Sequence, residues 1–256
     1  MITALATLGP REATSETYAR AAELVADELR ALGYTVRFQT VALPAGTNDG
    51  VAVAAGESVN VIAEPSDYRP GRAHLVVGGH LDTVPDSPGA NDNASGIAVM
   101  IELARLASLD PAVIPTVFVA FTGEERIRQS ESDSAFIEGS SAYLEGVGAR
   151  ERRAIAGAIN LDMVGNGDRV YVLGSGPIFS HVRDVARRID VPTAVTTTRL
   201  FSDHLSFIER DIPVAWLWAG DHVSLHTPGD TVAVVQRAQL RRVGDLAWES
   251  LRRFEA

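Results

Sequence analysis

The sequence predicts an α/β fold, a three-layer sandwich in which a mostly parallel central sheet lies between helices. Two observations carry this. Short apolar runs at Val59 to Ala63, Leu75 to Gly78, Val117 to Phe121, Ile159 to Val164, Val170 to Leu173 and Val214 to Trp218 include several that are apolar on both faces. Strands covered on both sides of a sheet lose the alternation of half-exposed ones. Helical patterns separate the runs, as crossover connections between parallel strands require. A chain of 256 residues, 46% apolar, is long enough to bury one large core, and one domain over residues 1–256 is expected.

Each element has its own signal. Leu24, Val25, Leu29 and Leu32 recur at helical spacing among Glu23, Asp27, Glu28 and Arg30, and Gly33 follows as a stop, so Ser15 to Leu32 reads as an amphipathic helix. Tyr34, Val36 and Phe38 alternate as a strand, and Pro44 to Gly56 is rich in turn residues. Further helices are expected over Ser95 to Leu106, Ser140 to Glu145, Phe179 to Ile189, His204 to Arg210 and Gln236 to Phe254. The chain has no internal repeat and no low-complexity linker.

Composition removes several chemistries. Net charge is -10 with acids and bases interspersed, which gives nucleic acid or an anionic membrane no electrostatic attraction. All 23 basic residues are Arg, so Schiff-base and P-loop chemistry are excluded. Without Cys there is no disulfide, no thiolate metal site and no Cys nucleophile, and any metal must sit on N and O ligands. Met1 to Pro10 lacks the pattern of a signal peptide, and no later stretch is apolar enough to span a membrane. A complete chain would be cytoplasmic, whereas one whose signal peptide had been removed would be secreted.

Ligands in open α/β sheets collect beyond the carboxyl ends of the strands. His80 and Asp82 follow the second apolar run, Glu124 and Glu125 the third, Asp162 lies near the end of the fourth, and His226 is in the loop after the last. Asp92, in Asn91-Asp92-Asn93, falls at the start of a helix. In an extended His80-Leu81-Asp82, residues two apart point the same way, so Asp82 is expected to orient the His80 imidazole. Two carboxylates ~6 Å apart at an effective dielectric of ~20 repel by roughly 3 kcal/mol, and divalent cations reverse that sign. Three carboxylates and two imidazoles suit a pair of divalent ions, most naturally zinc, with cobalt or manganese as alternatives. His80 and Asp162 would take one ion, Glu125 and His226 the other, and Asp92 would bridge them.

Each residue alone has an ordinary explanation. Gly78-Gly79 and Thr227-Pro228-Gly229-Asp230 are turn signals, adjacent acids commonly line a solvated helix start, and Asp203 suits an N-cap. Joint placement carries the reading.

The motifs resemble those of the M28 family of metallo-aminopeptidases. They are Gly79-His80-Leu81-Asp82-Thr83-Val84, Gly89-Ala90-Asn91-Asp92-Asn93-Ala94-Ser95-Gly96, Thr122-Gly123-Glu124-Glu125, Asn160-Leu161-Asp162-Met163-Val164-Gly165, Ser202-Asp203-His204-Leu205-Ser206-Phe207 and His226-Thr227-Pro228-Gly229-Asp230-Thr231. The similarity runs from about Thr14 to Trp248 in the family's order. It implies a phosphorylase/hydrolase-like sandwich, metal ligands His80, Asp92, Glu125, Asp162 and His226, Glu124 as general acid/base, and a cis peptide after Asp92. It implies an exopeptidase acting on peptides with a free N-terminus. Three features depart from the pattern: Leu225 stands where many members carry Tyr before the last His, the stretch Arg126 to Glu138 is longer, and Phe201 stands where some relatives carry Arg, with Arg199 a candidate for that substrate contact. A carboxypeptidase or deacylase, a single-zinc glutaminyl cyclase and a non-catalytic interaction domain are the alternative readings on the same scaffold.

Overall fold

The structure is a computed structural model that describes residues 1–128, 137–195, 201–220 and 224–255. The strands are β1 (Thr35–Leu43), β2 (Gly46–Asn48), β3 (Val51–Val53), β4 (Gly56–Glu64), β5 (His74–His80), β6 (Thr116–Phe121), β7 (Ile127–Arg128), β8 (Ile155–Leu161), β9 (Val170–Ser175), β10 (Thr193–Ala194) and β11 (Val214–Trp218). The helices are α1 (Ile2–Leu8), α2 (Glu16–Ala31), α3 (Ala94–Leu109), α4 (Glu138–Gly146), α5 (Ala149–Arg152), α6 (Gly176–Arg188), α7 (His204–Ile208) and α8 (Arg237–Arg253). Eight strands form one sheet in the order β1-β4-β6-β5-β8-β11-β9-β10, and β3-β2-β7 form a small second sheet.

The four central strands β6, β5, β8 and β11 are mutually parallel. Antiparallel pairs flank them, β1 with β4, β4 with β6 and β11 with β9, so the sheet is mixed. Helices α2, α3 and α6 cover one face, with α8 packed on α3 and α6, while α4 and α7 cover the other. Along β6, Phe118 and Ala120 enter one core and Val117, Val119 and Phe121 the other. That division explains the unbroken apolar runs: both sides of the central strands are buried, and each large side chain fully removed from water contributes roughly 1.5–3 kcal/mol.

Helix starts follow capping chemistry. Ser15 caps α2 by accepting from the Tyr18 amide at 3.0 Å, and Asn93 caps α3 by accepting from the Gly96 amide at 3.0 Å. Boundaries differ from the sequence reading by a few residues. Elements not anticipated are α1, α5, β2, β3, β7 and β10, all short. Among the described residues, no helix is long and apolar enough to cross a membrane.

The junction of α3 with the central strands has no room to spare. A Cβ on Gly96 would lie 2.4 Å from both Asn93 Oδ1 and the Leu161 carbonyl oxygen. Gly96→Ala is therefore expected to lower the unfolding free energy by roughly 1–3 kcal/mol, as overpacking generally does. An unchanged midpoint in denaturant unfolding would contradict this tight packing.

Candidate metal centre

Because β5, β6, β8 and β11 run parallel, their carboxyl ends open on one edge of the sheet. His80 is the last residue of β5. After β6 the chain turns through Gly123, at φ 69, into Glu124 and Glu125. Asp162 follows β8 and is tied to β11 by its amide, which donates to the Leu217 carbonyl at 3.2 Å. Asp92 sits at the entry to α3, and its peptide bond to Asn93 is cis. His226 lies in the loop beyond β11 with a left-handed φ of 56.

These residues meet. His80 Nε2 lies 3.2 Å from Asp92 Oδ1 and 3.2 Å from Asp162 Oδ1. His226 Nε2 lies 3.5 Å from Asp92 Oδ2 and 3.1 Å from Glu125 Oε2. Asp92 thus turns one oxygen to each imidazole, and each imidazole has a further carboxylate beside it. Donor atoms about 2.0–2.1 Å from one tetrahedral ion are about 3.3 Å apart, so these spacings suit a divalent ion in each group. Two triads bring one ligand atom of each residue within 4.8 Å of the others: His80 with Glu124 and Asp162, and His80 with Asp92 and Glu125.

Neighbouring polar groups hold the cluster in place. Asp230 accepts from the amides of Asn91 and Asp92 at 2.8 and 2.9 Å, tying the Asp92 turn to the loop that bears His226. Asn91 Oδ1 accepts from the Gly165 amide, and Asn93 donates to the Leu161 carbonyl and accepts from the Met163 amide, so both flank the segment bearing Asp162. Asp82 stands beside His80, with its shortest contacts elsewhere. Its carboxylate accepts from the amides of Glu124 and Glu125 at 3.3 and 3.1 Å and stands 3.9 Å from His80 Nδ1. The nearer acceptor for that nitrogen is the backbone carbonyl of Asp82 at 3.1 Å, which favours a proton on Nδ1 and turns Nε2 toward the carboxylates.

Asp82, Asp92, Glu124, Glu125 and Asp162 are all buried. Burial pushes Glu124 well above the usual carboxylate range, and Glu125, Asp162 and Asp203 add to the shift against the pull of His80. Burial and Asp92 raise Glu125 to about 7. For the imidazoles, burial opposes charge but the acids prevail: His80 is held well above its ordinary value by Glu124 and Asp162, and His226 rises to about 9 through Glu125. Asp92, although buried, is held below its ordinary value by His80. Buried Arg11 lies behind the site, where it donates to the carbonyls of Leu81, Pro88 and Gly89 at 3.0, 2.7 and 3.0 Å.

Other sequence-marked positions have plainer roles. Asp203 stands at the N-cap of α7 without a side-chain cap bond. His204 stacks on Trp216 with centroids 4.6 Å apart, and burial lowers it to about 4. Trp216 and Trp218 are buried with Met163, and Leu225 packs against them. Residues 129–136 of the longer stretch, and Arg199, lie outside the described residues. Sequence reasoning missed Arg11, Asp49 and Arg126 and took Asp230 for a turn signal. The Asp-Gly pair at 49–50 is a recognisable hairpin signal.

Comparison with known proteins places the chain. The sequence profile of peptidase family M28 matches residues 60–251. Aminopeptidase YwaD of Bacillus subtilis is 32% identical over 186 residues, covering 67% of this chain and 39% of the relative. Leupeptin-inactivating enzyme 1 of Streptomyces exfoliatus is 30% identical over 208 residues, covering 79% and 43%. The chain thus spans about two fifths of the length of these relatives. Among solved structures, a zinc aminopeptidase from Bacillus subtilis superposes with a TM-score of 0.85 at 21% identity, over 97% of this chain and 92% of that one. A glutaminyl cyclase from Fimbriiglobus ruber superposes with 0.83 at 23%, over 99% and 93%. These likenesses establish the α/β exopeptidase fold.

The raised acids and imidazoles make the chelator-stripped protein sensitive to pH. A group whose pKa is higher in the folded state stabilises below its unfolded value and loses that contribution as pH rises through the folded value. For Glu125 the loss runs from 4.5 to about 7, and for His226 from 6.5 to about 9. Asp92 acts oppositely, below its ordinary 3.8. Tm of the stripped protein should therefore fall between about pH 5 and about pH 9, with zinc restoring it most at the upper end. A flat profile of stripped protein by calorimetry would contradict this assignment.

Proposed function

Because the chain belongs to peptidase family M28, we propose that it is a dinuclear zinc aminopeptidase that removes the N-terminal residue of peptides with Glu124 as its general base. The observation that carries this reading is the division of Asp92: one carboxylate oxygen faces His80 and Asp162, the other faces His226 and Glu125. His80, Asp162 and Asp92 would hold one ion, and Glu125, His226 and Asp92 the other. When bound, such ions lower the pKa of a coordinated water and polarise a carbonyl. We take residues 1–256 to act as one catalytic domain, since a single sheet presents every ligand-bearing loop.

The chain's own groups perform the proton transfers. Glu124 takes a proton from the attacking water and returns it to the departing amine as the C–N bond breaks, releasing one amino acid and a shortened peptide. Burial and three acidic neighbours favour the protonated form that donates to the amine, and the divalent ions would favour the ionised form that first takes the water's proton. The amides of Glu124 and Glu125 are both held by Asp82, which fixes the base beside the ligand. The free α-amino group of a peptide binds against the metal site and the nearby acids in this reading, which favours cleavage at the N-terminus over internal bonds.

A second reading, a single-zinc glutaminyl cyclase, is favoured by the fold likeness to the Fimbriiglobus ruber enzyme. Two complete ligand groups support the peptidase instead. Metal analysis separates them: the peptidase reading expects two zinc ions per chain, and a saturating content of one would favour the cyclase.

Glu124→Gln should retain both zinc ions and lose kcat by roughly 10²–10⁴ on an aminoacyl-p-nitroanilide panel, the range supplied by a positioned acid/base. Wild-type kcat in that variant would remove Glu124 from the mechanism.

A further inference from the structure

His80 and His226 are oriented by different means. His80 is buried, with Nδ1 fixed by the Asp82 carbonyl. His226 is 34% exposed in a loop, so packing alone does not set its ring. Across from it is the tip of a hairpin: β2 and β3 are joined by Asp49-Gly50, both at positive φ (47 and 79), with Asn48 opposite Val51. This is the type I′ turn that Asp-Gly suits. Asp49 Oδ1 lies 3.5 Å from His226 Nδ1 on the side of the ring away from Glu125 and Asp92.

The hairpin is anchored from three directions. β2 pairs with β7, the segment that follows Glu125. Asn48, buried, donates to the Thr83 carbonyl at 3.4 Å, on the segment that follows His80 and Asp82. Buried Arg126 donates to the carbonyls of Pro44 and Ala54 at the two ends of the hairpin and forms an ion pair with Glu12. The tip is thereby referenced to the same segments that bear the other ligands.

We propose that Asp49 is a positioning residue of the metal centre: from the hairpin tip its carboxylate faces the Nδ1–H of His226 and holds Nε2 toward Glu125 and Asp92. This rests on the dinuclear reading above and extends it to a residue outside the motifs. Carboxylates that orient a ligating imidazole support metal affinity by about 10–100-fold. The effect is expected at the ion held by His226 and Glu125, leaving the ion held by His80 and Asp162 unchanged.

The test is zinc binding measured by competition with a chromophoric chelator for wild type, Asp49→Gly and Asp49→Asn. Glycine accepts the positive φ, so it removes the carboxylate without straining the turn. Wild type should bind two zinc ions, and Asp49→Gly should bind one of them about 10–100-fold more weakly with the Tm of its stripped form unchanged. Asp49→Asn, which keeps an acceptor and the turn, should recover part of that loss. Unchanged affinities in Asp49→Gly, or equal weakening of both sites with a lower stripped Tm, would overturn the proposal while leaving the dinuclear reading intact. A wild type that binds fewer than two zinc ions overturns both.

Discussion

The molecule is organised around keeping acids of like charge close together away from water. Asp82, Asp92, Glu124, Glu125, Asp162 and Asp203 are all buried near two imidazoles, an arrangement that opposes folding unless cations or hydrogen-bond donors offset it. Much of the loop structure supplies those donors. Asp82 receives two amides, Asp230 receives two more, and buried Arg11 places its charge behind the Asp92 turn while binding carbonyls. Divalent cations in the proposed ligand groups would supply the remaining compensation, and this accounts for side chains poised at ligand spacing.

The sheet makes that concentration achievable. Parallel central strands bring four loops to one edge, and helices pack on both faces of the sheet. The asparagines on either side of Asp92 then lace the α3 entry to the loop after β8, so the proposed bridging carboxylate and Asp162 share one frame. The two imidazoles have unequal support: His80 is built into a core strand, whereas His226 sits on a left-handed residue in a partly exposed loop.

Much of this was legible in the sequence because His80, Glu124, Glu125, Asp162 and His226 each end or follow an apolar run, where chain order alone predicts proximity. The central strands and the larger helices were legible for the same reason, through runs buried on both faces and stripes at helical spacing. Strand direction was not, since a strand covered on both sides looks alike whichever way it runs, and the antiparallel pairs of β4 and β9 went unseen. Asp230 and Arg126 were also hidden, because they act on backbone groups far away in sequence: Asp230 binds the Asn91 amide across 139 positions. Asp82 illustrates a subtler limit. Its proximity to His80 was legible from spacing, but whether the carboxylate or its own carbonyl meets the ring depends on where the amides of Glu124 and Glu125 fall.

The aromatic stack on β11 lies close to the proposed ligands. Trp216 and Trp218 are two of the chain's three tryptophans, stacked with centroids 5.9 Å apart and continued on one side by His204 and on the other by Tyr171. The same cluster contains Met163 and touches Leu225, the chain neighbours of Asp162 and His226. Two of the three indoles therefore lie beside the carboxylate edge, packed against the chain neighbours of two proposed ligands.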